Sequence, residues 1–217
     1  MKIKLISADF GGHSELKINN HEELKKYNVD VVLYNDRNTS ARNLSLHSRL
    51  KGKIPKMLEW SLENEYDYYI WVDSKFTLQD GIIEQLLNGL GDHDLCLFNH
   101  PYRSTVSAEL SFMNDLMKRG DQYLISRYQG EDMDKQVSNY LSDPDFIDNQ
   151  LFACGCFIYS KKLVENKDHN LMKEWFYHNT IYSIQDQLSL PYLLAKFKTN
   201  YNTFNFNLLN CSYLRYN

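Results

Sequence analysis

Tyr68-Tyr69-Ile70-Trp71-Val72-Asp73-Ser74-Lys75 is the stretch that decides the fold. Its first five residues are β-branched or aromatic and are bounded by charge, which reads as a buried strand over Tyr68–Val72. The strand ends abruptly on a carboxylate. In an open α/β sheet, ligands gather at the carboxyl ends of the strands, where the loops emerge. Asp73 is therefore placed at a binding rim, unless it does no more than cap the turn that follows.

Outward from this strand, apolar runs alternate with helical patterns, as in a sheet flanked by helices. Ile3–Ala8 reads as the first strand, leading into Asp9-Phe10-Gly11-Gly12. Asp30–Tyr34 reads as the second, leading into Asn35-Asp36-Arg37-Asn38. Helices are predicted over Glu22–Tyr27, Ile54–Glu63 and Ile82–Leu90, with Pro55 suited to a first helical turn. Leu95–Asn99 is a further strand. From Ala108 to Tyr140 the pattern gives two or three polar helices and no clear strand. Leu151–Tyr159 returns to the sheet, and Leu171–His178 and Asp186–Ala195 read as closing helices. The aromatic, Asn-rich tail Tyr201–Tyr216 is either an edge strand or a strap. No internal repeat and no flexible linker breaks this order. A single α/β domain over residues 1–217 is expected.

With 43% hydrophobic and 14% aromatic residues the chain can bury a sizeable core, which excludes disorder. A net charge of −4 without a long basic run argues against a nucleic-acid partner. Met1-Lys2-Ile3-Lys4-Leu5-Ile6 lacks the long apolar region of a signal peptide. No apolar stretch approaches the roughly 20 residues that span a bilayer. Cys96, Cys154, Cys156 and Cys211 form no CxxC pair and no grouping with histidine. Cys154 and Cys156, two apart in a strand, are expected on one face as buried free thiols. These features predict a cytoplasmic protein without an integral membrane segment.

Three further segments carry candidate chemistry. Ser48-Arg49-Leu50-Lys51-Gly52-Lys53-Ile54-Pro55-Lys56 runs four cations into a helix N-terminus, either a solvated basic turn or a phosphate site of side chains and backbone N–H groups. Asn99-His100-Pro101-Tyr102-Arg103 follows a strand: His100 is a candidate metal ligand or a structural residue, and Arg103 suits a phosphate oxygen. In Ser183-Ile184-Gln185-Asp186-Gln187-Leu188-Ser189, Ser183 is a plausible helix cap. Asp186 and Gln187 then fall in the first turn, where Asp186 either accepts from a sugar hydroxyl, acts as a general base, or simply caps.

Taken in order, these segments resemble the glycosyltransferase-like proteins catalogued as domain of unknown function 616. The matching stretches are Lys53-Ile54-Pro55-Lys56, Tyr69–Lys75, His100-Pro101-Tyr102-Arg103 and Ser183–Ser189, with Trp175 ahead of the last. They span Ile54 to Ala195. The resemblance implies a GT-A-like (Rossmann-like) fold with a mixed, mostly parallel central sheet, a nucleotide-diphospho-sugar donor, and a glycan or glycoconjugate acceptor. It makes Asp73 the donor-site carboxylate, acting at the ribose or through Mn²⁺ or Mg²⁺ bridging the diphosphate. The usual Asp-x-Asp pattern has Lys75 in its third position here, a point cation that either replaces the metal or points away. Lys56, His100 and Arg103 become candidates for the diphosphate side. Asp186 and Gln187 resemble the acidic helix facing the donor sugar, Gly155 lies in the strand bordering the acceptor, and Ala8, Asp9 and Asp36 meet the nucleobase by fold analogy.

Two other functions fit the same segments. A sugar nucleotidyltransferase shares the fold, but its Gly-rich first loop carries a lysine or arginine that Asp9-Phe10-Gly11-Gly12-His13 lacks. A degenerate glycan-binding module would keep the fold and lose transfer, consistent with the missing second acidic residue after Asp73.

Overall fold

Tyr68–Val72 is a strand inside a six-stranded sheet, and the reason is its side chains. Tyr69 and Trp71 pack into one hydrophobic cluster while Ile70 and Val72 pack into another, so both faces of the strand are buried.

The structure, a computed structural model, describes residues 1–40, 46–63, 65–165 and 170–217. The first half runs β1 (Ile3–Asp9), β2 (Lys17–Ile18), α1 (His21–Lys26), β3 (Val29–Asn35), α2 (Ser48–Leu62), β4 (Tyr68–Val72), β5 (Phe76–Leu78), α3 (Ile82–Leu90) and β6 (Leu95–Asn99). The second runs α4 (Val106–Lys118), α5 (Gln122–Tyr128), α6 (Met133–Leu141), β7 (Phe152–Ser160), α7 (Lys162–Glu165), α8 (Leu171–Ile181), α9 (Asp186–Lys196), β8 (Tyr201–Thr203) and β9 (Leu214–Tyr216). The main sheet has the order β3-β1-β4-β7-β6-β8 and is parallel except for β7, which is antiparallel to both neighbours. One core lies between this sheet and α3. The other lies beneath α2, α8 and α9. A third, smaller cluster joins α4, α5 and α6 to Leu151 and Leu188.

The tail is both an edge strand and a strap: β8 extends the main sheet, whereas β9 pairs with β5 in a separate sheet of order β2-β5-β9. Strands of two or three residues carry no periodicity, so β2 and β5 left no mark in the sequence. The helix expected from Ile54 begins instead at Ser48, with His47 Nδ1 accepting from the Arg49 amide at 3.4 Å. Pro55 is interior, where it leaves one main-chain carbonyl without its helical donor. The basic cluster is thus a helix face and not a turn. Cys154 and Cys156 also depart from expectation, packing into opposite clusters. The pairing of β6 with β7 jumps from Leu97↔Phe157 to Phe98↔Ala153, and the bulge at Gly155 reverses the alternation.

A buried ion pair locks α2 to β1. Lys4 Nζ is 2.5 Å from Glu59 and 2.6 Å from Glu63, and Lys4 and Glu59 are each 1% exposed. Tyr34 on β3 donates to both Glu59 oxygens at 2.8 Å. Burial works against the Lys4 charge, but the bonds to Glu59 and Glu63 outweigh it and its pKa is raised. Lys4→Met is expected to cost about 3–5 kcal/mol by stranding Glu59. Adding Glu59→Gln should recover part of that loss, read as urea midpoints; an additive pair of losses would show that the two charges do not depend on each other.

Candidate active site

Parallel pairing brings the ends of β1, β3 and β4 to one edge, and β6 runs in the same direction. A cleft of about 970 Å³ opens there. The loop after β1 is shaped by Asp9, whose carboxylate accepts from the amides of His13 at 3.0 Å and Ser14 at 3.3 Å. Ser14 and Ser74 share a hydroxyl hydrogen bond at 3.0 Å, tying that loop to the end of β4.

Asp73 is aimed by its neighbours. The Asp73 amide donates to the Gly155 carbonyl at 2.7 Å, and Trp71 Nε1 donates to Asp73 Oδ1 at 2.8 Å. Lys56 Nζ approaches that oxygen to 3.9 Å, and Lys75 Nζ comes within 3.5 Å of Oδ2. The carboxylate remains 30% exposed to the cleft. Gly155 leaves room beside it: a Cβ there would stand 3.1 Å from Phe76 and 3.4 Å from Asp73 Oδ2, crowding both.

Behind Asp73 lies a buried charge cluster. Lys56 Nζ donates to Asp186 Oδ2 at 2.6 Å and to the Cys154 carbonyl at 2.7 Å. It sits 5.3 Å from the ring centre of Trp71 and 5.9 Å from that of Trp175. Lys53 Nζ reaches the same Asp186 oxygen at 2.6 Å, and Trp175 Nε1 donates to the Asp186 carbonyl at 3.0 Å. Burial alone would raise the Asp186 carboxyl, but the two ammonium groups outweigh it and hold the group well below the usual carboxylate range. Burial likewise works against Lys56, yet Asp186 and Asp73 keep it protonated with a raised pKa.

Asp73, Lys75, Lys56, Arg103, Ala8, Asp9, Asp186 and Gln187 all line the cleft. Asp36 and His100 do not. Asp36 accepts from the Gly11 amide at 2.8 Å and pairs with Lys51 at 3.2 Å, so it organises the β1 loop from outside. His100 Nδ1 accepts from the Arg103 amide at 3.0 Å, and its Nε2 lies 3.3 Å from the Arg103 guanidinium. Burial and that guanidinium push its pKa down to about 4. A ring facing a fixed cation is a poor metal ligand. Lys56 lines the cleft but is only 5% exposed, its ammonium group committed to Asp186 and the Cys154 carbonyl. Arg103 has its Nε on Glu109 and its guanidinium 4.0 Å over Phe112. Ser183 does not cap α9; its hydroxyl donates to Gln136 at 2.6 Å.

Lys53 as a partner of Asp186 was missed. Its signal was the spacing Arg49, Lys53, Lys56, which shares one face only in a helix begun at Ser48. Nothing around Trp71 indicated that its indole would orient Asp73.

The fold is that of the GT-A glycosyltransferases. Mouse xyloside xylosyltransferase 1 in its apo form superimposes with a TM-score of 0.51 at 7% identity, over 98% of this chain and 89% of that one. A glycosyltransferase involved in glycosylation of the major capsid of PBCV-1 gives 0.46 at 11% identity, over 94% and 81%. Core-mannan synthase A of Aspergillus fumigatus, in its Mn/GDP form, gives 0.47 at 10% identity, over 94% and 73%. Identities this low show the fold alone. No curated protein matches the sequence. Residues 8–215 match the family described as TOD1/MUCI70, glycosyltransferase-like domain, and the chain belongs to that family. The match extends well beyond the Ile54–Ala195 span that carries the motifs. No helix among the described residues is long and apolar enough to cross a membrane.

The turn that presents Asp186 rests on a buried relay. Ser183 donates to Gln136, Gln136 donates to the Tyr140 hydroxyl at 3.0 Å, and that hydroxyl meets His178 Nδ1 at 2.5 Å. Burial, aided by the charge of Lys196, lowers His178 to about 4. Between that value and the ordinary 6.5 the unfolded chain binds more protons, so stability is full above about pH 6.5 and is lost as pH falls toward 4. The loss is on the order of 3 kcal/mol for a shift of this size. His178→Gln should reduce the pH dependence of the urea midpoint between pH 7 and pH 4.5, leaving the share that His100 contributes; an unchanged slope would remove His178 as a source.

Proposed function

We propose that the chain is a glycosyltransferase that moves a sugar from a nucleotide-diphosphate donor to a hydroxyl of a glycan or glycoconjugate. The observation that carries this is Asp73: a part-exposed carboxylate, aimed by Trp71 and Gly155, at a strand end inside a cleft of about 970 Å³.

The roles follow from charge. Asp73 accepts from donor hydroxyls, since an ionised carboxylate is an acceptor only. Lys75, 43% exposed beside it, is the point cation for the diphosphate. A cation there stabilises the departing diphosphate more than the intact donor, and that difference lowers the barrier. Ala8 and Asp9, at the end of β1, border the nucleobase side. Asp186, gripped by two ammonium groups, is a weak proton acceptor, so it and Gln187 steady the donor sugar instead of acting as a base.

Mn²⁺ or Mg²⁺ does not fit the side chains present. Asp73 stands between Lys56 and Lys75, and no group of three metal-ligating side chains occurs among the described residues. Divalent cations of this kind want several oxygen ligands, and two neighbouring ammonium groups oppose them.

Asp73→Asn should weaken nucleoside-diphosphate-sugar binding at least about tenfold, the worth of one charge-assisted hydrogen bond, and should also lower the melting temperature, because buried Lys56 loses one of its counter-charges. Isothermal titration measures it, and near-normal affinity would remove the donor site from Asp73. In the same titration, affinity should be indifferent to EDTA. A tenfold gain on adding Mn²⁺ would return the metal to the site.

A further inference from the structure

Six cationic side chains and four carboxylates line the cleft, although the chain as a whole carries −4. Most of those cations are already paired. Lys53 and Lys56 have Asp186, Lys75 has Asp73, and Arg103 has Glu109. Arg49 and Arg127 have no carboxylate within 4 Å among the described residues.

These two arginines come from different elements, the first turn of α2 and the last turn of α5, and they meet at the wall that the helical segment contributes. Arg127 is close enough to act on Arg49: burial first, and then the charge of Arg127, lower the pKa of Arg49. Arg127 Nε is shut off from solvent without an acceptor. Its Nη1 bonds the Tyr123 hydroxyl, and its guanidinium lies 4.3 Å from the Tyr123 ring centre. Arg49 lies 6.0 Å from the ring of Tyr128. Two like charges in a half-buried wall, with no carboxylate paired to either among the described residues, are complementary to an anion.

We propose that Arg49 and Arg127, with the face of Tyr123, form the acceptor subsite for an acidic sugar, so that the acceptor is an anionic glycan. This rests on the transferase reading and narrows its acceptor class. The choice of acceptor over donor comes from the aromatic surface. Tyr123 is 62% exposed and Phe112 is 44% exposed, and both line the same cleft. A flat ring packs on the C–H face of a sugar while the adjacent guanidinium fork takes its carboxylate. The donor's diphosphate has a separate cation in Lys75, on the strand-end rim.

The test uses the full chain and three ligands in separate titrations: a uronic-acid oligosaccharide, its carboxyl-reduced neutral counterpart, and nucleoside diphosphates. The unaltered protein should bind the acidic oligosaccharide at least about tenfold more tightly than the neutral one. Arg127→Gln and Arg49→Gln should each remove most of that preference, leave neutral binding alone, and hold nucleoside-diphosphate affinity within about twofold. Arg127→Lys, which keeps the charge and loses the fork, should fall between. Unchanged melting temperatures show that the variants fold. Equal affinity for the acidic and neutral oligosaccharides would overturn the proposal. So would a loss of nucleoside-diphosphate binding in the arginine variants, which would assign the pair to the donor. An unaltered chain that binds no nucleoside diphosphate would overturn the transferase reading alone, because the arginine-dependent preference is read in its own titration.

Discussion

Lys56 is the interaction on which the rest of the structure depends. One ammonium group, 5% exposed, joins the Asp186 carboxylate on α9, the Cys154 carbonyl on β7 and the Asp73 carboxylate at the end of β4, all from α2. A buried charge is tolerable only when its partners are all in place, because each missing one leaves several kcal/mol of desolvation uncompensated. The cluster is therefore a test of assembly. Helix α2 must sit at the correct height on the sheet, β7 must bulge, and α9 must begin at Asp186. Trp175 enforces the last of these by bonding the Asp186 carbonyl, and its ring also flanks the ammonium group.

The same constraint divides chemical labour among groups that look alike in sequence. Asp73 and Asp186 are both strand- or helix-terminal carboxylates, and both touch Lys56. Asp186 shares one oxygen between two ammonium groups and is 9% exposed, whereas Asp73 keeps an indole N–H, two more distant lysines and an open face. One carboxylate is held ionised as a structural counter-charge that also borders the cleft. The other is presented. Likewise Lys56 is inward and Lys75 outward, so of the two cations flanking Asp73 only Lys75 has freedom to meet a ligand.

What the sequence revealed follows from what each signal encodes. β4, α3 and β6 were legible to the residue because an apolar run bounded by charge or glycine fixes both ends. The start of α2 was not, because Pro55 mimics a first-turn residue and the stretch ahead of it, with its three cations and Gly52, reads as a basic turn. Cys154 and Cys156 were placed on one face by strict alternation, and a bulge is an extra residue that alternation cannot foresee. In the site, Asp73 was readable because position along a parallel strand decides which edge it reaches. The inward turn of Lys56, the pairing of Arg103 with Glu109 and the withdrawal of His100 depend on contacts between segments far apart in sequence, for which a local motif carries no term.

The cleft thus has two kinds of wall. Its strand-end side is bound into the Lys56 cluster and the two flanking cores, so a change there disturbs the fold and the rim around Asp73 together. Its other side belongs to α4 and α5, which pack on a smaller core of their own. The two sides meet through Leu188 of α9, which packs into that core, and through polar bonds: Gln185 Nε2 donates to Glu109 at 3.2 Å, and Glu109 in turn holds Arg103. Glu109 is the pivot of that seam, anchored in α4 and reaching residues on either side of it. Side chains on the helical wall, Tyr123, Arg127 and Phe112 among them, can change without touching the buried ions. A domain built this way can keep its strand-end geometry while altering what the helical wall of the cleft admits, because the buried charge cluster lies on the opposite wall.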